Sequence, residues 1–311
     1  MLQHPTGFEL AIDVGTAVTR LHVAPRLTPL VRPSTVWTSG GTRAALRGGV
    51  IVDTQAATAV LRELLRAVPR RGFRGLRALA CVPTDASAEE RAALVESVLQ
   101  AGARAVAVVP EPFAAAVGAG LDVEIPQAQL LVDIGEGVTD CAVVRGGTLV
   151  ASEAVRVAVA DLRFAAMDWI ELGAGVRVSA VEAERVLREV GVGPLATWQR
   201  TLRVVGSPLH GVGPIRGTIE IDALHDALEP VVDQIAACVG HFVANLPGEL
   251  ADEIVHSGIC LSGGGALLAG MLERLVGETA MGVWRAPDPL CAVIDGAQRI
   301  VSSRAPIPVW H

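Results

Sequence analysis

Two segments of the chain carry the same groups at the same spacing. Asp13-Val14-Gly15-Thr16-Ala17-Val18-Thr19 and Asp133-Ile134-Gly135-Glu136-Gly137-Val138-Thr139 each set an aspartate just ahead of a glycine and end on a threonine. An apolar run precedes each aspartate and another follows each threonine, so each segment reads as two strands around a tight turn. A glycine turn lets backbone N–H groups approach a ligand with no Cβ in the way, and successive inward N–H groups form a nest for an anion. Thr16, Thr19 and Thr139 add hydroxyl donors, and Arg20 adds a cation beside the first turn. Phosphate oxygens suit that set. An aspartate would repel phosphate unless a cation lay between them, and Mg²⁺ keeps several waters while touching one or two carboxylates. Asp13 and Asp133 therefore read as a pair that holds a hydrated Mg²⁺ over a triphosphate. One such turn alone would be an ordinary Asx-Gly hairpin; two copies, each opening an α/β unit, favour a site.

A third element is SGGGALLAG at 262–270, which places Gly263, Gly264 and Gly265 between an apolar strand and a helical pattern. The glycines permit flat, close approach of a nucleoside, and a helix N-terminus behind them favours negative charge. Glu111, in Pro110-Glu111-Pro112, opens another helical segment, where the helix dipole alone would favour an acid.

The elements that must position these residues alternate strand and helix. Strands at 8–15 and 19–24 lead to a helix over 54–68, a strand over 78–83 and a helix over 87–102 that opens on the capping-box pair Ser87 and Glu90. A strand at 105–112 and a short helix from Phe113 follow. The pattern then restarts, with strands at 130–135, 139–144 and 149–157, a helix across 160–172, and a helix over 179–191 with Ser179 and Glu182 in capping-box spacing. Residues 192–221 read as a hairpin-like excursion, and a long helical region over 222–246 is expected to break at Pro230. The strand at 258–265 ends in the three glycines, with a helix directly behind. This is an α/β layer fold of two similar units facing each other across a cleft.

At 311 residues and 51% hydrophobic, the chain has room for two domains with sizeable cores. Its net charge of −7 argues against a nucleic-acid partner. It contains no lysine, so every permanently charged basic side chain is an arginine. The five cysteines form no C-x-x-C pair and the seven histidines no H-E-x-x-H pattern, so neither a zinc site nor a disulfide framework is expected. No uninterrupted apolar run approaches the roughly 18–20 residues that span a bilayer, and the start lacks a signal-peptide pattern, so a cytoplasmic location is expected.

The ordered set resembles the actin superfamily, and most closely the bacterial actin homologues of the MreB type, over nearly the whole chain. AIDVGTAVT is similar to the family's first phosphate hairpin and LLVDIGEGVTDCAVV to its second. CVPTDASAEERAALVESVLQAGA with EPFAAAVGAGL resembles the segment between them, SGICLSGGGALLAGMLERL the adenosine motif, and APDPLCAVIDGAQ the closing helix. The resemblance implies two RNase H-like domains, the first from 1–125 with 285–311 and the second from 126–284, and ATP or ADP with Mg²⁺ in the cleft. It places Asp13 and Asp133 on the ion through water. Gly15, Thr16, Thr19, Arg20, Gly135, Glu136, Gly137, Thr139, Gly263, Gly264 and Gly265 then fall on the nucleotide, and Glu111 falls where a carboxylate orients the attacking water for slow hydrolysis. It further implies association with itself or with an MreB paralogue, filaments under the membrane, cell-wall synthesis proteins as partners, and a role in cell shape.

The chain also departs from the family pattern. Glu136 and Val138 stand where that turn has Gly and Thr, Val159-Ala160 where a Gly-Asp pair is usual, and Leu187 where a lysine is. A short link, roughly residues 40–46, replaces a small extra subdomain. These departures keep a second reading open, a non-hydrolysing actin-fold adaptor or scaffold that regulates or caps a full-length paralogue.

Residues 66–77, RAVPRRGFRGLR, correspond to a loop that in the family dips into the membrane. Arg70, Arg71 and Arg74 around Phe73 would bind anionic headgroups, at about 1 kcal/mol per arginine. The triple variant Arg70→Ser, Arg71→Ser, Phe73→Ala is expected to lose co-sedimentation with anionic liposomes; unchanged co-sedimentation removes this loop as a membrane contact.

Overall fold

Each aspartate hairpin seeds a sheet. The computed structural model describes residues 2–3, 8–23, 26, 28–68, 75–193, 200–303 and 307–308. The first half runs β1 (Leu2–Gln3), β2 (Leu10–Val14), β3 (Val18–Val23) and β4 (Leu30–Pro33), then two short hairpins, β5 (Thr35–Thr38) with β6 (Gly41–Ala44) and β7 (Leu46–Arg47) with β8 (Val50–Ile51). It continues through α1 (Thr54–Arg66), β9 (Arg77–Val82), α2 (Ala88–Ala101), β10 (Ala105–Pro110) and α3 (Glu111–Ala119). The second half runs β11 (Gln129–Ile134), β12 (Thr139–Arg145), β13 (Thr148–Val155), α4 (Val159–Ala174), β14 (Val176–Arg177) and α5 (Ala180–Val190). The hairpin β15 (Thr201–Pro208) and β16 (Ile215–Glu220) leads to α6 (Ile221–Ala244), α7 (Gly248–Ser257), β17 (Ile259–Ser262), α8 (Met271–Thr279) and β18 (Val283–Arg285). Then come α9 (Ala292–Ser302) and β19 (Ile307–Pro308), which pairs antiparallel with β1.

The two sheets share one topology. Among the described residues the first has the order β4-β3-β2-β9-β10 and the second β13-β12-β11-β17-β18. In each, three antiparallel strands are extended by two parallel ones. The central strands are apolar apart from the aspartate and, at the start of β11, Gln129, as a strand covered on both faces requires.

Local signals set most helix ends. The capping box forms at α2, where the Ser87 hydroxyl accepts from Glu90 N and the Glu90 carboxylate from Ser87 N. At α5 only half of the expected box forms, because the Glu182 carboxylate binds Arg185 and the Val205 amide instead. The break expected at Pro230 does not occur. α6 runs continuously through it, with Leu224, Leu228, Val232 and Ile235 buried on both sides, so packing outweighs the local cost of proline. α6 is also long and apolar enough to cross a membrane, yet it buries one face in the second core and exposes Asp222, Asp226 and Asp233 on the other. The link before α1 holds only the two short hairpins, with Trp37 86% exposed on the first.

A third core lies between the sheets and is built on α3 and α9. α3 packs against β11, β12 and β17 of the second sheet, and α9 against β2, β3 and β9 of the first. The two helices cross at backbone distance. A Cβ on Gly118 would lie 1.8 Å from the Ala292 carbonyl oxygen, and one on Gly296 would lie 1.7 Å from that of Ala114. The contact is reciprocal, an Ala-x-x-x-Gly segment on each helix seating the glycine of the other. Gly118→Ala and Gly296→Ala are each expected to lower unfolding stability by about 3 kcal/mol or more through overpacking. Gly277→Ala, where the new methyl meets nothing on α8, should instead gain about 0.5–1 kcal/mol. Thermal or urea unfolding of the three variants checks the contrast.

Candidate functional site

The tips of the β2–β3 and β11–β12 hairpins, the start of α3 and the turn after β17 line one cavity between the two sheets, of about 360 Å³. That lies within the usual range for small-molecule sites. Asp13, Gly15, Thr16, Arg20, Glu111, Asp133, Gly135, Glu136, Gly137, Gly263 and Gly264 all line it. Part of its lining is apolar, with Val159, Leu187, Leu267, Leu268, Pro289 and Leu290.

The two turns close identically. Gly15 N donates to Val18 O at 3.1 Å and Gly135 N to Val138 O at 2.9 Å. The amides of Thr16, Ala17, Glu136 and Gly137 take no acceptor among the described residues, which leaves them available to an anion. Two of the expected hydroxyl donors do not reach the cavity. Thr19 is buried against the Ser34 hydroxyl at 2.9 Å, and Thr139 donates to Val157 O at 2.8 Å. Both lie at the start of the strand that leaves the turn, where side chains anchor the next segment. Thr16 does face the cavity, and its hydroxyl accepts from Gly49 N at 2.9 Å.

The triple glycine also differs from expectation. After β17 the chain makes a short 3₁₀ turn, Gly264–Leu267, and α8 begins only at Met271, so no helix N-terminus stands behind the glycines. Gly263 is required at its place: its φ is +81°, and a Cβ there would lie 2.5 Å from Asp133 Oδ1. Gly265 turns away and packs on the Ile134 side chain.

Three buried carboxylates, Asp13, Glu111 and Asp133, line the cavity, and a fourth, Asp140, lies beside Asp133 on the neighbouring strand. Asp13 is bound by Arg20 Nη1 at 3.0 Å, yet burial still raises its pKa against the arginine's pull. Burial, with Asp140 as the next cause, pushes Asp133 up to about 7, relieved in part by the neighbouring Ser262 hydroxyl. Its Oδ1 is buried without a hydrogen-bond partner. Burial lifts Asp140 to about 6, although Thr84 Oγ1 and Thr84 N donate to it at 2.6 and 3.1 Å. Glu111 lies well above the usual carboxylate range, first through burial and then through Asp13, Asp140 and Asp133.

Asp140 was not singled out from the sequence, but the hairpin register does contain it. Arg20 is the cross-strand partner of Asp13, and Asp140 holds the same position opposite Asp133. One hairpin therefore faces its aspartate with a cation and the other with a second acid. Arg163 and Arg188, also missed, reach the cavity from α4 and α5. Arg163 pairs with Glu136 at 2.5 Å, so Glu136 is neutralised within the protein. Arg70, Arg71, Phe73 and Arg74 lie outside the described residues.

The carboxylates fit a hard divalent ion. Among the described residues no three His, Cys, Asp or Glu side chains are grouped to chelate a metal directly. An ion would be held through its own waters, with the orphaned Asp133 Oδ1 as an acceptor for them.

Two matching three-plus-two sheets, a reciprocal helix pair between them and paired glycine hairpins over one cleft define an actin-like fold. The comparisons agree. The family model described as MreB/Mbl protein matches residues 41–307. Cell shape-determining protein MreB of Escherichia coli K12 is 32% identical, over 93% of this chain and 91% of its own. Cell shape-determining protein Mbl of Bacillus subtilis is 26% identical, over 96% of this chain and 97% of its own. Among solved structures, MreB5 of Spiroplasma citri bound to ADP superposes with a TM-score of 0.85 at 25% identity, covering 95% of this chain and 96% of that one. The chain belongs to the MreB/Mbl family.

The pKa values carry a pH dependence of stability. For Asp133 and Asp140 the folded pKa lies above the unfolded value of 3.8, so their contribution is full below about pH 4 and is lost as pH rises through 6 to 7. Asp133→Asn removes one such charge. It is expected to melt higher than the unsubstituted protein near pH 8, with the difference vanishing near pH 4. An equal or lower melting temperature near pH 8 contradicts the account.

Proposed function

We propose that this chain binds ATP or ADP with Mg²⁺ in the cleft and serves, as an assembling actin homologue, in cell shape and cell-wall synthesis at the cytoplasmic side of the membrane. The observation that carries the nucleotide reading is the set of buried acids, Asp13, Glu111, Asp133 and Asp140, beside hairpins with free amides. The acids call for a cation, the amides for an anion, and a metal–polyphosphate supplies both. MreB5 of Spiroplasma citri, solved with ADP and with AMPPNP, supports the ligand class. The names of the Escherichia coli and Bacillus subtilis relatives support the role in cell shape.

In this reading Asp13 and Asp133 hold the ion's waters, and the amides at Thr16–Ala17 and Glu136–Gly137 take the phosphate oxygens. The apolar part of the lining receives the base. Glu111 orients the attacking water. Burial and the neighbouring acids raise its pKa, so positive charge entering the cleft would favour the ionised form that accepts the water's proton. Leu187 and Val159 in the lining, and the two short hairpins before α1, favour a second reading in which the chain keeps the nucleotide as structure and acts as a scaffold or cap.

Calorimetry with ATP and Mg²⁺ on the unsubstituted protein and on Asp133→Ala tests binding: micromolar affinity is expected, lost in the variant. Glu111→Gln should keep ATP affinity and lose turnover by about 100-fold or more. Binding without turnover in the unsubstituted protein selects the scaffold; no binding removes the nucleotide from both readings.

A further inference from the structure

Glu136 occupies the position in the second hairpin that the neutral Thr16 holds in the first, between glycines whose neighbouring amides are free. An acid there would repel any anion seated on those amides. Glu136 is not alone, however. Arg163, from the first turns of α4, binds Glu136 Oε1 at 2.5 Å, and the two side chains are only 19% and 16% exposed. Both line the cavity. The backbone reinforces the pairing, because Val159 N donates to Gly135 O at 3.2 Å and Ala160 N to Glu136 O at 2.9 Å. The start of α4 is thus fastened to the hairpin, and Arg163 is carried to the acid by the helix itself. Arg163 Nε is buried with no partner, so Glu136 does not exhaust its donors.

We propose that Glu136 and Arg163 form a charge-compensated unit that makes the acidic second hairpin able to accept a polyphosphate, with Arg163 cancelling the repulsion of the acid. The inference rests on the nucleotide reading above and goes beyond it by assigning the hairpin's tolerance of a polyphosphate to a residue on α4. Its physical content is non-additivity. Removing the arginine leaves an uncompensated, mostly buried carboxylate beside the phosphates, which costs more than the pair contributes. Removing both should cost little, and the coupling between the two sites is what a double-mutant cycle measures.

Arg163→Ala, Glu136→Gly and the double variant are titrated by calorimetry with ATP and Mg²⁺, and separately with adenosine. Arg163→Ala is expected to weaken ATP by about tenfold or more and leave adenosine within about threefold, since only the phosphates meet the bare acid. Glu136→Gly frees the guanidinium and should tighten ATP. The double variant should return to within about threefold of the unsubstituted protein. If the unsubstituted protein binds no ATP, the nucleotide reading fails and this inference with it. If it binds and Arg163→Ala matches it, or the double variant stays as weak as Arg163→Ala, the nucleotide reading stands and the compensated unit is overturned. Should Arg163→Ala fail to fold, Glu136→Gly decides: ATP affinity unchanged or weakened overturns the proposal.

Discussion

The architecture around the cleft is organised by the cost of keeping Asp13, Glu111, Asp133 and Asp140 together out of water. Buried carboxylates are tolerated only where neighbours share their charge or their hydrogen bonds. Arg20 does this for Asp13 and Thr84 for Asp140, while the Ser262 hydroxyl lies near Asp133 but donates to Pro289 O. The first relief lies within one hairpin; the second ties the β9–α2 turn to β12 of the other sheet. Relief is incomplete, as the unpartnered Asp133 Oδ1 and the raised pKa values record.

Fold and site were legible in unequal measure. The hairpins announce themselves locally, through an aspartate, glycines and flanking apolar runs. The capping box at Ser87 is equally local. What escaped was non-local. Asp140 could have been found by counting across the hairpin, since it stands opposite Asp133 as Arg20 stands opposite Asp13. Arg163, Thr84 and Gly49 reach the site only through tertiary packing, which no local pattern encodes. The opposite error occurred at Pro230 and Glu182, where local rules were strong and the packed core or a nearby arginine overrode them. Thr19 and Thr139 show the same limit: spacing places a hydroxyl near the turn but does not fix which way it points.

The cleft is also bridged along one side. Arg156, at the end of β13, binds Asp85 at 2.8 Å and the Glu90 carboxylate at 2.9 and 3.0 Å, joining the second half to the start of α2. Asp140 with Thr84 joins the halves a short way off. The Arg156 contacts are partly solvent-facing and can be made and broken at modest cost, whereas Asp140 is buried and would leave its carboxylate unpartnered if Thr84 withdrew. The apolar layer of α3 and α9 is the contact that cannot be given up.

That layer has a mechanical consequence. Where helices pack through interleaved side chains, changing their crossing angle means unlocking ridges from grooves. α3 and α9 meet at Gly118 and Gly296, backbone on backbone, with no side chains meshed at the point of closest approach. At that point a change of crossing angle would meet little side-chain interlocking. Because α9 lies against the first sheet and α3 largely against the second, any change of angle there would be carried outward to the hairpin tips and to Arg156.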